Sequence, residues 1–205
     1  MKKQVEGITE KILSAAETEF LAYGFMDSSL RRICAASGVS THTVYTRFGD
    51  KAGLFDALVK EAADGLMKLY LDAVDALDGC SNFPGVEHAG REGTDKVLEY
   101  IYQHFTAFQL IFCHSVGTEY ADFLNRLSEI EEKTYQELFH QLKGNLSEMD
   151  VFFIHVSCAA SWQPVYEVVS HDIPLKEAKR FMELQNPPVI VVTNEKAPKY
   201  AGFGA

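Results

Sequence analysis

Between Ser40 and Lys51 the sequence STHTVYTRFGDK sets four small hydroxyls (Ser40, Thr41, Thr43, Thr46), an imidazole (His42), a phenol (Tyr45) and two cations (Arg47, Lys51) around only two bulky apolar residues, Val44 and Phe48. Hydroxyls and imidazoles on short stems both donate and accept hydrogen bonds, which is the chemistry needed to read the edges of base pairs. Tyr45 and Arg47 are long enough to reach phosphates on either side. Val44 and Phe48 stand four apart, one turn of helix, so the polar residues fall on the opposite face. Such a helix, buried along one stripe, would offer its polar face to a major groove.

Neighbouring elements must hold it there. Ser40 can cap this third helix, expected over Thr41–Arg47, and Gly38 supplies the turn before it. A second helix is expected to begin at Asp27 or Ser28, to bury Leu30, Ile33 and Cys34, and to end near Ser37. Ile8, Ile12, Ala15, Ala16, Phe20 and Tyr23 predict a first helix over about Val5–Tyr23, stopped by Gly24. After Gly49-Asp50, Lys51 opens a long fourth helix, about 51–77, with Leu54, Leu58, Ala62, Leu66, Leu69 and Ala76 in phase. Ser28 and Ser29, heading the second helix, and Lys51, heading the fourth, are expected to place N–H groups and a cation beside a phosphate.

Several residues at one spacing carry a resemblance: Ala15-Ala16, Phe20, Gly24, Ile33, Gly38-Val39-Ser40, Val44-Tyr45, Phe48, Lys51 and Leu54. The segment Ile12–Val59, ILSAAETEFLAYGFMDSSLRRICAASGVSTHTVYTRFGDKAGLFDALV, resembles the DNA-binding domain of the TetR family of bacterial transcriptional regulators. The resemblance implies that Tyr45 contacts phosphate, that Lys51 clamps the backbone, and that Thr41, His42 and Thr43 face bases. It further implies a homodimer on double-stranded operator DNA, with a C-terminal helical domain that binds a small effector and releases a repressor. Two departures lie in the head: Thr41-His42 stands where many members have Lys-Gly, and Arg32 replaces a common acidic residue, adding positive charge near the DNA face.

Composition agrees with such a division of labour. Net charge is −10, unfavourable for a DNA partner taken as a whole. Residues 1–60 nevertheless hold eight Lys/Arg against seven Asp/Glu, which leaves eleven basic and twenty-two acidic residues to the remainder. Only the first part is electrostatically suited to approach phosphate. The polar start and the absence of a stretch of about 20 apolar residues predict a cytoplasmic chain without a membrane anchor. Cys34, Cys80, Cys113 and Cys158 are widely spaced, as reduced thiols would be.

The expected fold is therefore all-α, with a helix-turn-helix domain over residues 1–50 and a helical effector-binding and dimerisation domain over 51–205. Asp78–Thr94, with Gly79, Pro84, Gly85, Gly90 and Gly93, predicts an irregular connector. Beyond it helices are expected over Asp95–His114, Thr118–Lys143, Glu148–Ser170 and Leu175–Leu184, the last two forming the dimer interface. Tyr100, His104, Phe105, Phe108, Phe112, Tyr120, Phe123, Trp162 and Tyr166 are the candidates for an effector pocket, mostly aromatics at helical spacing, with Phe152 and Phe153 in the same cluster, and such a pocket is expected to take an aromatic or otherwise hydrophobic effector. His104, His114, Glu119, Gln109 and Gln163 could add polar groups. Asn186-Pro187-Pro188 and Val189-Ile190-Val191-Val192 depart from the expected last helix and leave a small strand or an irregular tail open. His155 and Cys158 stand three apart, a metal-ligand spacing, but no third or fourth ligand is near, so no metal or other cofactor is expected. No catalytic motif is present, which argues against an enzyme using the aromatic cavity; control by a protein partner is the other alternative.

Overall fold

Ile12, Ala16 and Phe20 recur every fourth residue and are fully buried, so α1 (Lys2–Asp27) turns this stripe inward and leaves Lys11, Ser14 and Thr18 in solvent. The computed structural model describes residues 2–75 and 83–185, with side chains throughout except at 2–6, 83–89, 91, 143 and 185. Gly24 kinks α1 at φ 68°, ψ 170°, backbone that glycine alone adopts without strain. The chain therefore turns where the sequence predicts a stop, yet one further helical turn follows to Asp27. Within that turn the Phe25 N–H donates to the His114 carbonyl at 2.9 Å, far along the chain.

The next three helices are α2 (Leu30–Ser37), α3 (Thr41–Phe48) and α4 (Lys51–Asp75). Gly38 closes α2 in the left-handed region, and its N–H donates to Cys34 O. α2 buries Ile33 and Cys34, while Leu30 is half-buried; its N-cap is Ser29, not Asp27 or Ser28. α4 buries Leu54, Phe55, Val59, Ala62, Ala63 and Leu66, packing on α1 and α3 near its start and on later helices further along.

Three sequence expectations for the remainder need correction. Residues 83–94 are not an irregular connector but the first half of α5 (Phe83–Gln103). Gly93 faces α4 at ordinary contact distance: a Cβ there would lie 3.5 Å from that of Ala73. A single helix over Asp95–His114 is instead α5 and α6 (Phe105–Cys113), divided at His104, whose N–H is shared between the Tyr100 and Ile101 carbonyls. Glu148–Ser170 likewise divides at Trp162 into α8 (Glu148–Ser161) and α9 (Gln163–Ser170), because Pro164 has no N–H to continue the ladder and is tolerated only in a first turn.

α7 (Phe123–Lys143) begins five residues later than its predicted start at Thr118, after a run of turns, and α10 (Leu175–Gln185) follows Pro174 as expected. Residues 76–82, with the predicted end of the fourth helix, and the Val189–Val192 run lie outside the described residues. Among those described, every regular element is a helix, and no helix is long and apolar enough to cross a membrane. One large core joins α1 to α6 with the start of α7, α9 and Ala178 of α10; a small second core, Phe139, Ile154 and Cys158, joins α7 to α8.

Candidate nucleic-acid interface and ligand cavity

On α3 the buried stripe is Val44, with Phe48 half-buried beside it. Thr41, His42, Tyr45 and Thr46 are exposed on the other side, and Ser40 is exposed at the N-cap. The Ser40 hydroxyl accepts from the Thr43 N–H at 3.2 Å and shares a 2.9 Å hydrogen bond with the Thr43 hydroxyl. Thr43 is thus half-buried and occupied in capping, while the Thr46 hydroxyl donates back to His42 O. Thr41, His42 and Tyr45 remain the outward groups with full reach. Arg47 is partly buried, and its guanidinium donates to Thr9 of α1 at 2.7 Å, which fastens α3 to α1.

Behind α3 lies a corner that the sequence did not disclose. The Lys51 ammonium has three N–H groups, and it stands 2.6, 3.1 and 3.2 Å from the carbonyls of Phe25, Met26 and Ser28, and over the Phe25 ring. It ties α4 to the α1–α2 corner. Bracing this corner is a role beside the phosphate contact expected of Lys51. Ser28 is only 8% exposed and its hydroxyl donates to Phe25 O, so its side chain is turned away from any external phosphate. Ser29 is half-buried, and its N–H is taken by Glu19 at 2.8 Å.

Glu19, itself 8% exposed, is the residue that sequence reasoning missed here. It accepts from Ser29 N–H and from Arg32 Nε at 2.7 Å, putting a carboxylate at the positive end of α2. Burial raises its pKa, but the Arg32 hydrogen bond, the Ser29 N–H and the charges of Arg32 and Lys51 together outweigh burial and hold the carboxyl below its usual range. Arg32 also bonds Asp27 O and lies over the Tyr23 ring. Its charge is therefore neutralised locally instead of being added to the DNA face.

At the other end of α4 a cavity of about 130 Å³ opens between α4, α5, α7, the α8–α9 junction and α10. Tyr70, Val97, Trp162, Val165 and Met182 form its apolar wall; Thr94, Glu131, Thr134, Tyr135 and Ser161 bring polar groups. Tyr70 and Trp162 meet edge-to-face at 5.4 Å. Ser161 Oγ donates to Glu131 at 2.5 Å, and the Trp162 indole N–H is buried without a hydrogen-bond partner. Burial pushes the Glu131 carboxyl up to about 7, although Ser161 and Trp162 pull the other way. Burial and the Glu131 charge also push the Tyr70 and Tyr135 hydroxyls well up, so both stay protonated donors.

Of the nine aromatic and histidine candidates, only Trp162 lines this cavity. Tyr100, His104, Phe108 and Phe112 form a chain of ring contacts against the main core, and Phe105 packs on Tyr102. Phe123 is buried in the same core. The Tyr120 hydroxyl bonds Asp56 of α4 at 2.5 Å, a latch rather than a pocket wall. Tyr166 is half-buried on α9. Gln109 bonds Asp172 and Gln163 bonds Glu167, so neither faces the cavity. His155 faces Glu132 on the surface while Cys158 is buried, so those two are not brought together. Phe152 and Phe153 stand 60% and 50% exposed on α8 and do not line this cavity.

Comparison with known proteins decides the kind of head this is. Residues 12–58 match the family model of the bacterial regulatory proteins of the tetR family. NalD, the secondary repressor of the MexAB-OprM multidrug efflux pump in Pseudomonas aeruginosa, is similar in fold at 18% identity, with 89% of this chain and 95% of that chain covered and a TM-score of 0.55. A Syntrophomonas wolfei protein described as a TetR-family transcriptional regulator is similar at 18% identity, 94% and 100% coverage and a TM-score of 0.56. A Clostridium perfringens protein described as a fatty acid metabolism regulator is similar at 16% identity, 89% and 100% coverage and a TM-score of 0.55. No curated protein sequence matches significantly.

The chain thus has the fold of tetR-type regulators along most of its length, with a tetR-type head made of α1 to α3 and the start of α4. The matched segment includes Glu19, Lys51 and the whole of α3 but ends before the cavity. Tyr70, Glu131 and Tyr135 lie outside it. Helical periodicity cannot tell a cavity wall from a core stripe, so no signal in the sequence marked them.

Proposed function

We propose that this chain is a ligand-responsive, DNA-binding transcriptional repressor that works as a homodimer and acts by binding, not by catalysis. The observation that carries the reading is the exposed face of α3, where Thr41, His42, Tyr45 and Thr46 project from a helix anchored by Val44, Ser40 and Arg47. Packing alone gives no reason for a short helix so fixed to keep its outer face polar and uncharged. In this reading Thr41 and His42 touch base edges, with Thr43, Thr46 and Ser40 shaping the turn beside them, and Tyr45 meets a phosphate. Arg47, Ser29 and Lys51 support the helix from behind, and the division near residue 50 separates reading head from sensing body.

Two heads are needed, because a single short helix reads too few base pairs for specificity; they would enter successive major grooves about 34–36 Å apart or a multiple of that. The exposed apolar face of α8 (Met149, Phe152, Phe153, Val156) supports dimerisation there, with α10 alongside. α4 passes from the head to Tyr70 and Val74 at the cavity, so a ligand that moves its far end tilts the near end. Such a ligand shifts operator affinity only by its differential affinity for the two arrangements.

The test is operator selection from random duplexes followed by fluorescence anisotropy. His42→Ala and Thr41→Ala are expected to change the preferred sequence and to cost about 1–3 kcal/mol on the selected site. Equal loss on all duplexes, or no sequence preference in the parent protein, overturns the reading.

A further inference from the structure

The chemical class of the ligand is written in the cavity walls. Glu131 is the cavity's only acidic residue, and the groups acting on it are Tyr70 from α4, Ser161 and Cys158 from α8, Trp162 at the α8–α9 junction and Tyr135 on its own helix. None is basic. A carboxyl enclosed by rings without a cation, among the described residues, lacks the counter-charge that buried carboxylates ordinarily have. Beside it the indole N–H of Trp162 is a buried donor turned toward Glu131 that falls short of a full hydrogen bond to it. Unsatisfied donors of this kind are rare in native interiors and call for an explanation. Tyr70, Tyr135 and Trp162 supply π faces, which attract cations.

The cavity measures about 130 Å³, near the roughly 150 Å³ that accepts a benzene ring, and it is open on one side, so the part of a ligand that exceeds one ring lies in the opening. We propose that the cavity binds a compact organic cation, a one-ring alkylammonium carrying a hydrogen-bond acceptor, with its ammonium on Glu131 and its acceptor on Trp162 Nε1. This rests on the effector reading above and narrows it to one chemistry. An aromatic hydrocarbon would fill the same space but would leave Glu131 without a counter-charge and the Trp162 N–H without a full hydrogen bond.

Proton linkage follows. Because Glu131 sits at about 7, it is half protonated in neutral solution, and a bound ammonium favours the charged form. Binding must therefore expel part of a proton at pH 7, and affinity must rise with pH through that region. Between pH 6 and pH 8 the ionised fraction, and with it the affinity, increases about tenfold.

Trp162 is the only tryptophan in the chain, so its fluorescence reports from the cavity itself. The full-length protein is titrated with two matched pairs, tyramine against 4-ethylphenol and phenethylamine against ethylbenzene, each amine differing from its partner by the ammonium. The expected result is a Trp162 response to the amines with affinity at least about tenfold above the neutral partners at pH 8, with tyramine, which carries the acceptor, ahead of phenethylamine. Glu131→Gln is expected to erase the preference for amines while leaving 4-ethylphenol binding in place. The parent protein gives a second measure, an amine-binding enthalpy that depends on buffer ionisation at pH 7 and far less at pH 8, where Glu131 is mostly ionised and the amines are still protonated.

Amines and neutral partners binding equally, or amine affinity independent of pH, overturns the cationic class while leaving a ligand site. No response of Trp162 to any of the four overturns the class as well. Operator release is measured in the same samples: a pH-linked amine response without release keeps the cation site and removes its role as effector switch.

Discussion

The Lys51 ammonium donates to three carbonyls at the α1–α2 corner, and the energetic weight of those bonds falls on folding. Lys51→Met is expected to lower head stability by about 1–3 kcal/mol, the range for hydrogen bonds to a charged donor, read as a drop in Tm. Assayed well below its Tm, the variant should also show a salt slope of DNA binding reduced by about one, from loss of the phosphate contact. Glu19 gives a pH signature. Its folded carboxyl lies below the unfolded value, so its contribution is present above the ordinary carboxylate range and is lost as pH falls through the folded pKa. Glu19→Gln should therefore cost about 1 kcal/mol near neutrality, as loss of a helix cap does, with the difference from the parent closing as pH falls through the folded carboxyl's pKa in denaturant titrations.

At the scale of elements, close approach between helices is arranged by glycine. A Cβ on Gly53 would overlap the Phe48 carbonyl oxygen, so the first turn of α4 can lie against the end of α3 only while position 53 is bare. Because the obstacle is backbone, it cannot swing aside. Gly53→Ala is expected to destabilise by more than about 2 kcal/mol and to displace α3, with thermal unfolding and operator anisotropy both reporting the loss. Gly65 serves the α4–α5 contact in the same way, since a Cβ there would meet the Tyr100 hydroxyl; that atom ends a side chain and can yield more easily. Burial of apolar side chains is what keeps α5 helical despite its glycines. Each glycine costs about 1 kcal/mol against alanine, but burying Val97, Leu98 and Ile101 against the neighbouring helices offsets it.

For the whole molecule, head and body share one apolar core, and specific hydrogen bonds cross between them. Phe25 N–H bonds His114 O at the end of α6, Tyr120 bonds Asp56 ahead of α7, and α4 runs through both regions. These contacts give a ligand-driven change near Tyr70 a path to α3. The α8 face supplies the other long-range expectation. Phe152 and Phe153 are half or more exposed, so replacing both with glutamate should leave the helical signal intact while sedimentation shows a monomer. Operator affinity should then fall by at least about tenfold, since one head is left on its own. A dimer that persists in the double variant places the interface elsewhere.

What the sequence determined by itself was local: the polar face of α3 with its Ser40 cap, the glycine turns at Gly24, Gly38 and Gly49, the periodic stripes of α1 and α4, and the resemblance those residues carry. Each depends on neighbours within one or two turns of chain, where periodicity and capping act. Tertiary structure alone decided that Lys51 bonds the α1–α2 corner and Arg32 pairs with Glu19, that Glu19 caps a helix ten residues away, and that most of the expected pocket aromatics are core. It also decided that the cavity gathers around Glu131 and Trp162. Charge partners, cavity walls and glycine contacts join residues far apart in the chain, and their energies depend on distance in space, which spacing along the chain does not encode.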